Sequence, residues 1–247
     1  MAFCHVLYRA PSIRKDTGIY VLLPDEKGPF PVLYLLHGMS DDYTKWHRHT
    51  SIERYMRSLP LIVVMPDGHR SRYCNDPRPD GMAYEDHIVK DVVGFVDRTF
   101  PTIPRRSGRA IAGLSMGGYG SLMLAMKHPD MFSVVSSHSG GGKFARHPSV
   151  KGSLRAELLK LPRHDCFALA RKLKKSKRRL AIRMDCGTED RLIEGNREFH
   201  AHLQRLGIPH EYAEYPGAHN WDYWDAHIPE TLAFVMKRLP AARALRK

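Results

Sequence analysis

Acidic residues are in short supply: 26 Asp plus Glu face 39 Lys plus Arg, a formal net charge of +13 over 247 residues. That balance excludes an acidic, self-solvating chain and gives the surface an attraction for anions, whether acidic substrates, nucleic acid or membrane headgroups. Cysteine is scarce and unpatterned. Cys4, Cys74, Cys166 and Cys186 form no C-x-x-C pair, so neither a zinc site nor a disulfide framework is expected, and reduced thiols follow. No apolar run approaches the roughly 18 residues that a membrane-spanning helix needs. The stretch from Met1 to Lys15 shows no basic region followed by an apolar core, so no secretory signal is expected and the cytoplasm is the default compartment. There is neither an internal repeat nor a low-complexity linker, so the expectation is one domain over residues 1–247.

What is present is globular. The chain is 43% apolar and 26% charged, and a chain of this size buries about three quarters of the surface it exposes when unfolded. Apolar runs at Pro31 to His37 and Leu61 to Met65 read as strands buried on both faces. Thr17 to Leu23, Arg109 to Ala112, Phe132 to Ser136, Leu180 to Asp185 and Pro209 to Tyr215 are further strand candidates. Helical patterns fall at Ala83 to Phe100, Ser115 to Lys127, Asp190 to Leu206 and Asp225 to Leu239. Alternating strands and helices predict an α/β fold, a mostly parallel central sheet with helices on both faces. Its chemistry belongs in the loops after the strands, where open α/β sheets bind their ligands.

One such loop carries a nucleophile. Gly113-Leu-Ser115-Met-Gly117 follows an apolar strand and precedes a helical stretch, the context that gives G-x-S-x-G its meaning. Glycine flanks the serine because a side chain at either position would strike the neighbouring strand and helix. A serine hydroxyl needs a base, and the base an orienting acid, in the order Ser, Asp or Glu, His. Asp185, Glu189 and Asp190 compete for the acid; Asp190 is preferred because it lies beyond Gly187, where strand gives way to loop. Of 15 histidines, His219 sits in the turn-rich Tyr215-Pro-Gly-Ala-His-Asn-Trp221 loop after the last strand, where the base belongs. His210 reads as a strand-entry residue and His227 as a residue of the final helix. Backbone N–H groups of Met39 and Met116 are the expected oxyanion donors, with Gly38 allowing close approach and His37 a structural residue.

Taken in order, His37-Gly38-Met39, Gly113 to Gly118, Cys186-Gly-Thr-Glu-Asp190 and Gly217-Ala-His-Asn-Trp-Asp-Tyr-Trp224 resemble the esterase D-like group of α/β hydrolases. That group holds tributyrin-type esterases, S-formylglutathione hydrolases, feruloyl and acetylxylan esterases and mycolyltransferases. The resemblance implies the α/β-hydrolase fold, places nucleophile, acid and base on Ser115, Asp190 and His219, and puts the oxyanion donors on Met39 and Met116. Where relatives often carry aspartate or serine after the catalytic histidine, this chain has Asn220.

The expected activity is hydrolysis of short-chain carboxylic esters through an acyl-enzyme intermediate, with no cofactor and no metal. Trp46 and Trp221 are expected to bind substrate, together with Met39 and Met116, against the alternative of core packing. Arg70, Arg72 and Tyr73 are candidates to face the leaving group, with ordinary loop solvation the preferred alternative. Residues 144–175 are the natural place for a small helical cap. S-formylglutathione hydrolysis and carbohydrate acyl esterase activity are the enzymatic alternatives. The non-enzymatic one is a nucleic-acid-binding protein on a retired hydrolase fold, suggested by the basic run from Arg171 to Arg179. The partner expected is a small-molecule ester, with no membrane and nucleic acid ranked well behind; oligomeric state is not legible.

Overall fold

The apolar runs of the sequence become strands of a single sheet. In the computed structural model, which describes residues 1–142 and 162–239, eight strands lie in the order β1-β2-β4-β3-β5-β6-β7-β8. They are β1 (Ala2–Ala10), β2 (Lys15–Leu23), β3 (Val32–Leu36), β4 (Ile62–Pro66), β5 (Arg109–Leu114), β6 (Val134–His138), β7 (Ala181–Gly187) and β8 (Glu211–Tyr215). Pairing is antiparallel from β1 to β2 and from β2 to β4, and parallel from there to β8. Every residue of β3, β4 and β6 is buried, because helices cover both faces of the parallel part.

Helices are α1 (Lys45–His49), α2 (Ile52–Met56), α3 (Val93–Thr99), α4 (Met116–Lys127), α5 (Cys166–Lys175), α6 (Ile193–Arg205) and α7 (Trp221–Arg238). The pleat of β3 divides the core: Tyr34 and Leu36 face the side covered by α3 to α6, Leu33 and Leu35 the side covered by α1, α2 and α7. The helix expected over Ala83 to Phe100 arrives in consecutive pieces, Tyr84–Asp86, a π-helical His87–Val92 and then α3.

Three departures from the sequence expectation have physical causes. Strand β1 has no continuous apolar run; it is an edge strand with Phe3 and Leu7 exposed, so its pattern does not stand out. Helix α7 starts at Trp221 rather than Asp225 because the Asn220 carboxamide accepts the Tyr223 N–H at 3.0 Å, an N-cap that aspartate or serine supplies equally well. Helix α5, inside the stretch expected to form a cap, buries Cys166, Leu169 and Leu173 against α4 and α6. Residues 144–161 of that expected cap lie outside the described residues.

Candidate active site

The sheet delivers its chemistry at the carboxyl ends of β5, β7 and β8. At the end of β5 the chain turns into α4 through Ser115, whose φ of 52° and ψ of −113° lie outside the regions L-residues favour. Such a conformation costs about 1–3 kcal/mol and persists only where its surroundings impose it. Here the Ser115 N–H is donated to the His138 carbonyl at 2.9 Å. A Cβ on Gly117 would lie 2.4 Å from the Leu36 carbonyl oxygen, and one on Gly113 would lie 2.6 Å from the carbonyl carbon of Gly117. Only glycine fits at both, as the motif requires.

The acid and the base come from two loops stitched together. A Cβ on Gly187 would sit 2.1 Å from the Gly217 carbonyl oxygen, so the end of β7 and the loop after β8 touch backbone to backbone. The Glu189 N–H is donated to the same Gly217 carbonyl at 3.0 Å, and the Thr188 N–H to Tyr215 at 2.8 Å. The consequence is alignment: His219 Nδ1 lies 2.7 Å from Asp190 Oδ2, and His219 Nε2 lies 2.9 Å from Ser115 Oγ. Asp190 is buried, and its other oxygen accepts the Leu192 N–H at 2.8 Å. Burial works against its charge, yet the hydrogen bond and charge of His219, joined by that N–H, hold its pKa below the usual carboxylate range. Helix α6 starts only at Ile193, so Asp190 precedes the helix.

The competing acids are placed elsewhere. Asp185 is fully buried on β7, ion-paired with Arg183, 2.9 Å from His138 Nδ1 and accepting the Tyr223 hydroxyl at 2.9 Å. Burial opposes its charge too, and His138 and Arg183 overcome it. It braces β6, β7 and α7 beneath the site. Glu189 is exposed. His210 lies just before β8 and meets His200, while His227 on α7 stacks on Tyr215.

The loop after β3 is held from below. His37 accepts the Gly68 N–H at Nε2, 2.8 Å away, and its Nδ1 lies 2.7 Å from the Gly38 carbonyl, so it is spent on structure. Tyr73 is fully buried; its hydroxyl donates to the His37 carbonyl at 3.0 Å and its ring fills the space beside Gly68 and Gly120. It faces no leaving group. Arg72 is buried as well, and Arg70 is exposed. Nothing in the sequence marked Tyr73 as the support of this loop, because its role depends on two glycines and a carbonyl distant in the chain.

An aromatic row runs beside the imidazole. The Trp224 ring stands edge-on to His219 at 5.0 Å and 86°, and its N–H is donated to Ser139 Oγ at 3.3 Å. Trp221 packs on Trp224 at 5.3 Å and on Trp46 at 5.4 Å. Trp46 is 1% exposed and donates its N–H to the Leu36 carbonyl at 3.0 Å. Of the two tryptophans expected at the substrate, Trp221 is half-buried beside the site and Trp46 lies behind it in the core.

An eight-stranded, mostly parallel sheet with a strained serine elbow and an aligned histidine and carboxylate defines an α/β-hydrolase fold of the serine hydrolase class. Residues 10–235 match the Esterase family, and the chain belongs to it: it is a serine carboxylic ester hydrolase. It is 27% identical to an acetyl esterase of Caldicellulosiruptor saccharolyticus over 266 residues, covering 96% of this chain and 99% of the other. Among solved structures it is similar to the fluorophosphonate-binding serine hydrolase F of Staphylococcus aureus, with TM-score 0.86 and 30% identity over 95% of this chain and 98% of that one. An S-formylglutathione hydrolase of the same organism matches with TM-score 0.84 and 30% identity over 95% of this chain and 98% of that one.

Proposed function

We propose that Ser115, His219 and Asp190 hydrolyse esters of short acyl chains as nucleophile, general base and orienting acid. The observation that carries this reading is the unbroken hydrogen-bonded chain from Ser115 Oγ through the imidazole to Asp190, 2.9 and 2.7 Å. Ser115 Oγ attacks the ester carbonyl carbon while His219 Nε2 takes its proton. The oxyanion so formed is met by the N–H groups of Met39 and Met116; the latter opens α4, where it has no intrahelical acceptor and lies at the positive end of the helix. Collapse expels the alcohol, which leaves with the proton from His219. Water then gives a proton to His219 and attacks the acyl-enzyme, and collapse returns that proton from His219 to Ser115 Oγ as the carboxylic acid leaves. Asp190 keeps the proton on Nδ1 and stabilises the imidazolium at each stage.

Trp221, backed by Trp46, is the wall of the acyl pocket in this reading. Each methylene that fits adds about 0.8 kcal/mol, or about fourfold in kcat/KM, so p-nitrophenyl esters should improve from acetyl toward butyryl. They should then fall steeply, with little turnover at about C10, once the chain meets the wall. Decanoyl esters turned over as fast as butyryl would show that these tryptophans do not close the pocket.

Tyr73→Phe tests the support of the oxyanion loop. Removing the hydroxyl takes away the donor to the buried His37 carbonyl, so kcat for p-nitrophenyl acetate should drop by about tenfold, equivalent to about 1.4 kcal/mol. KM should hold. An unchanged kcat would mean that Met39 is positioned without it.

A second reading, S-formylglutathione hydrolysis, is favoured by charge: an anionic thioester suits a chain of net charge +13. Length does not stand against it, since the similar Staphylococcus enzyme is covered over 98%. Comparing kcat/KM for S-formylglutathione and p-nitrophenyl butyrate decides between the two. We place the enzyme in the cytoplasm: all four cysteines are unpaired, which suits a reducing compartment, and among the described residues no helix is long and apolar enough to cross a membrane.

A further inference from the structure

At the far end of the sheet from the triad lies a second concavity. It encloses about 880 Å³ beneath the amino ends of β7 and β8, with Ser133 just ahead of β6 among its walls. The end of α5 and the end of α7 close its sides. Its rim is basic: Lys174, Lys177, Arg178, Arg179 and Arg238 line it, and Glu211 is the carboxylate among its lining residues. Glu211 is already bound by Arg238 at 2.7 Å, and Arg178 is bound by Asp130 at 2.5 Å. Lys174 reaches the Gly207 carbonyl at 3.3 Å. Among the described residues, Lys177 and Arg179 have no carboxylate within ion-pairing distance. Arg106 adds a further guanidinium, donating to the Arg179 carbonyl. Leu180, Ile182 and Ile208 give it an aliphatic floor of small area, each being less than a tenth exposed.

The sequence outside the described residues is itself basic. Residues 143–161 carry Lys143, Arg146, Lys151, Arg155 and Lys160 against Glu157 alone, and residues 240–247 carry Arg243, Arg246 and Lys247 with no acid. A second copy carries the same +13 and so offers no surplus of acid to this rim. A flat membrane surface does not enter a concavity. A nucleic-acid strand would satisfy the rim, but an aliphatic floor returns nothing to a phosphodiester, and strand-binding grooves rely on stacked aromatic rings. Here the lining holds two rings, His210 and Phe234, and no row of rings along which successive bases could stack. A peptide that carries both carboxylates and aliphatic side chains uses rim and floor together.

We propose that this groove docks an acidic, leucine-type apolar segment of a partner protein. The site lies at the amino ends of the strands, and the triad at the carboxyl ends, so a docked partner leaves the active site open to substrate.

The test is fluorescence anisotropy of the full chain with a labelled synthetic peptide alternating glutamate and leucine, beside one alternating glutamate and serine and a duplex DNA of equal charge. The glutamate–leucine peptide should bind at least about tenfold more tightly than the glutamate–serine peptide. The double variant Lys177→Glu, Arg179→Glu should weaken it by about tenfold or more, with p-nitrophenyl acetate turnover and melting temperature unchanged. Full binding by the folded double variant would overturn the proposal. So would equal binding of the two peptides, which would leave only unspecific charge, and so would DNA binding more tightly than the peptide and lost in the same variant.

Discussion

Replacing Ser115 with alanine is expected to lower kcat for p-nitrophenyl acetate by about 10⁶-fold while the melting temperature stays within a few degrees. The loss is that large because the hydroxyl oxygen forms the covalent bond; without it His219 and Asp190 have no proton to move, and what remains is the polarisation of the bound carbonyl. The fold should survive, since alanine keeps the Cβ and pays no more than serine for the φ of 52° that the elbow imposes. The direct assay is covalent: a fluorophosphonate should label the wild type at Ser115 alone and leave Ser115→Ala unlabelled, as read by peptide mass spectrometry. A label found elsewhere, or activity retained in the variant, would move the nucleophile.

Asp190→Asn and Asp185→Asn should separate catalysis from stability. Asp190 Oδ2 lies 2.7 Å from His219 Nδ1 and fixes which nitrogen carries the proton. A carboxamide can donate there and favours the wrong tautomer, a loss of about 10⁴-fold in kcat where this has been worked through for a serine triad. Asp185 touches no reacting group. It neutralises Arg183, itself buried, and accepts from Tyr223, so Asp185→Asn leaves an uncompensated buried charge at a cost of about 3–5 kcal/mol. The expected pattern is a folded, inactive Asp190→Asn beside an active but thermally weakened Asp185→Asn. Equal losses of kcat in two well-folded variants would return the acid to the strand.

These two aspartates, five positions apart, show where sequence reading stops being decisive. Both precede His219, and both sit by the same glycine. The preference for Asp190 rests on chain order and on Gly187; the choice becomes geometric only because Gly187 and Gly217 let two loops, from adjacent strands, touch backbone to backbone. The hydrophobic pattern placed β3 and β4 within a residue or so because both faces of these strands are buried and every position must be apolar. It missed β1, where an edge strand alternates and half its side chains meet water. It shortened α7 because the apolar stripe begins later than the cap, and the cap is a single carboxamide at Asn220.

The basic run from Arg171 to Arg179 was legible as charge but not as shape. In sequence it reads as a solvated helix end; folded, it curves with Arg238 round an aliphatic floor drawn from β7 and the turn into β8. The same holds for the tryptophans. Trp46 and Trp221 share a composition argument for an acyl pocket, yet the carbonyl of Leu36 claims the Trp46 N–H and takes that ring into the core.

By itself the sequence determined the alternation of strand and helix, the serine elbow, and the order in which acid and base must follow it. These are local, since glycine's freedom, the period of apolar residues and the stop of a strand are set by a few adjacent residues. Only the tertiary structure decided which carboxylate meets the imidazole, which tyrosine props the loop after β3, and where the excess positive charge gathers. Each of these depends on groups tens of residues apart meeting within about 3 Å, and hydrogen bonds of that length are fixed by the packing of the sheet and not by any one segment of the chain.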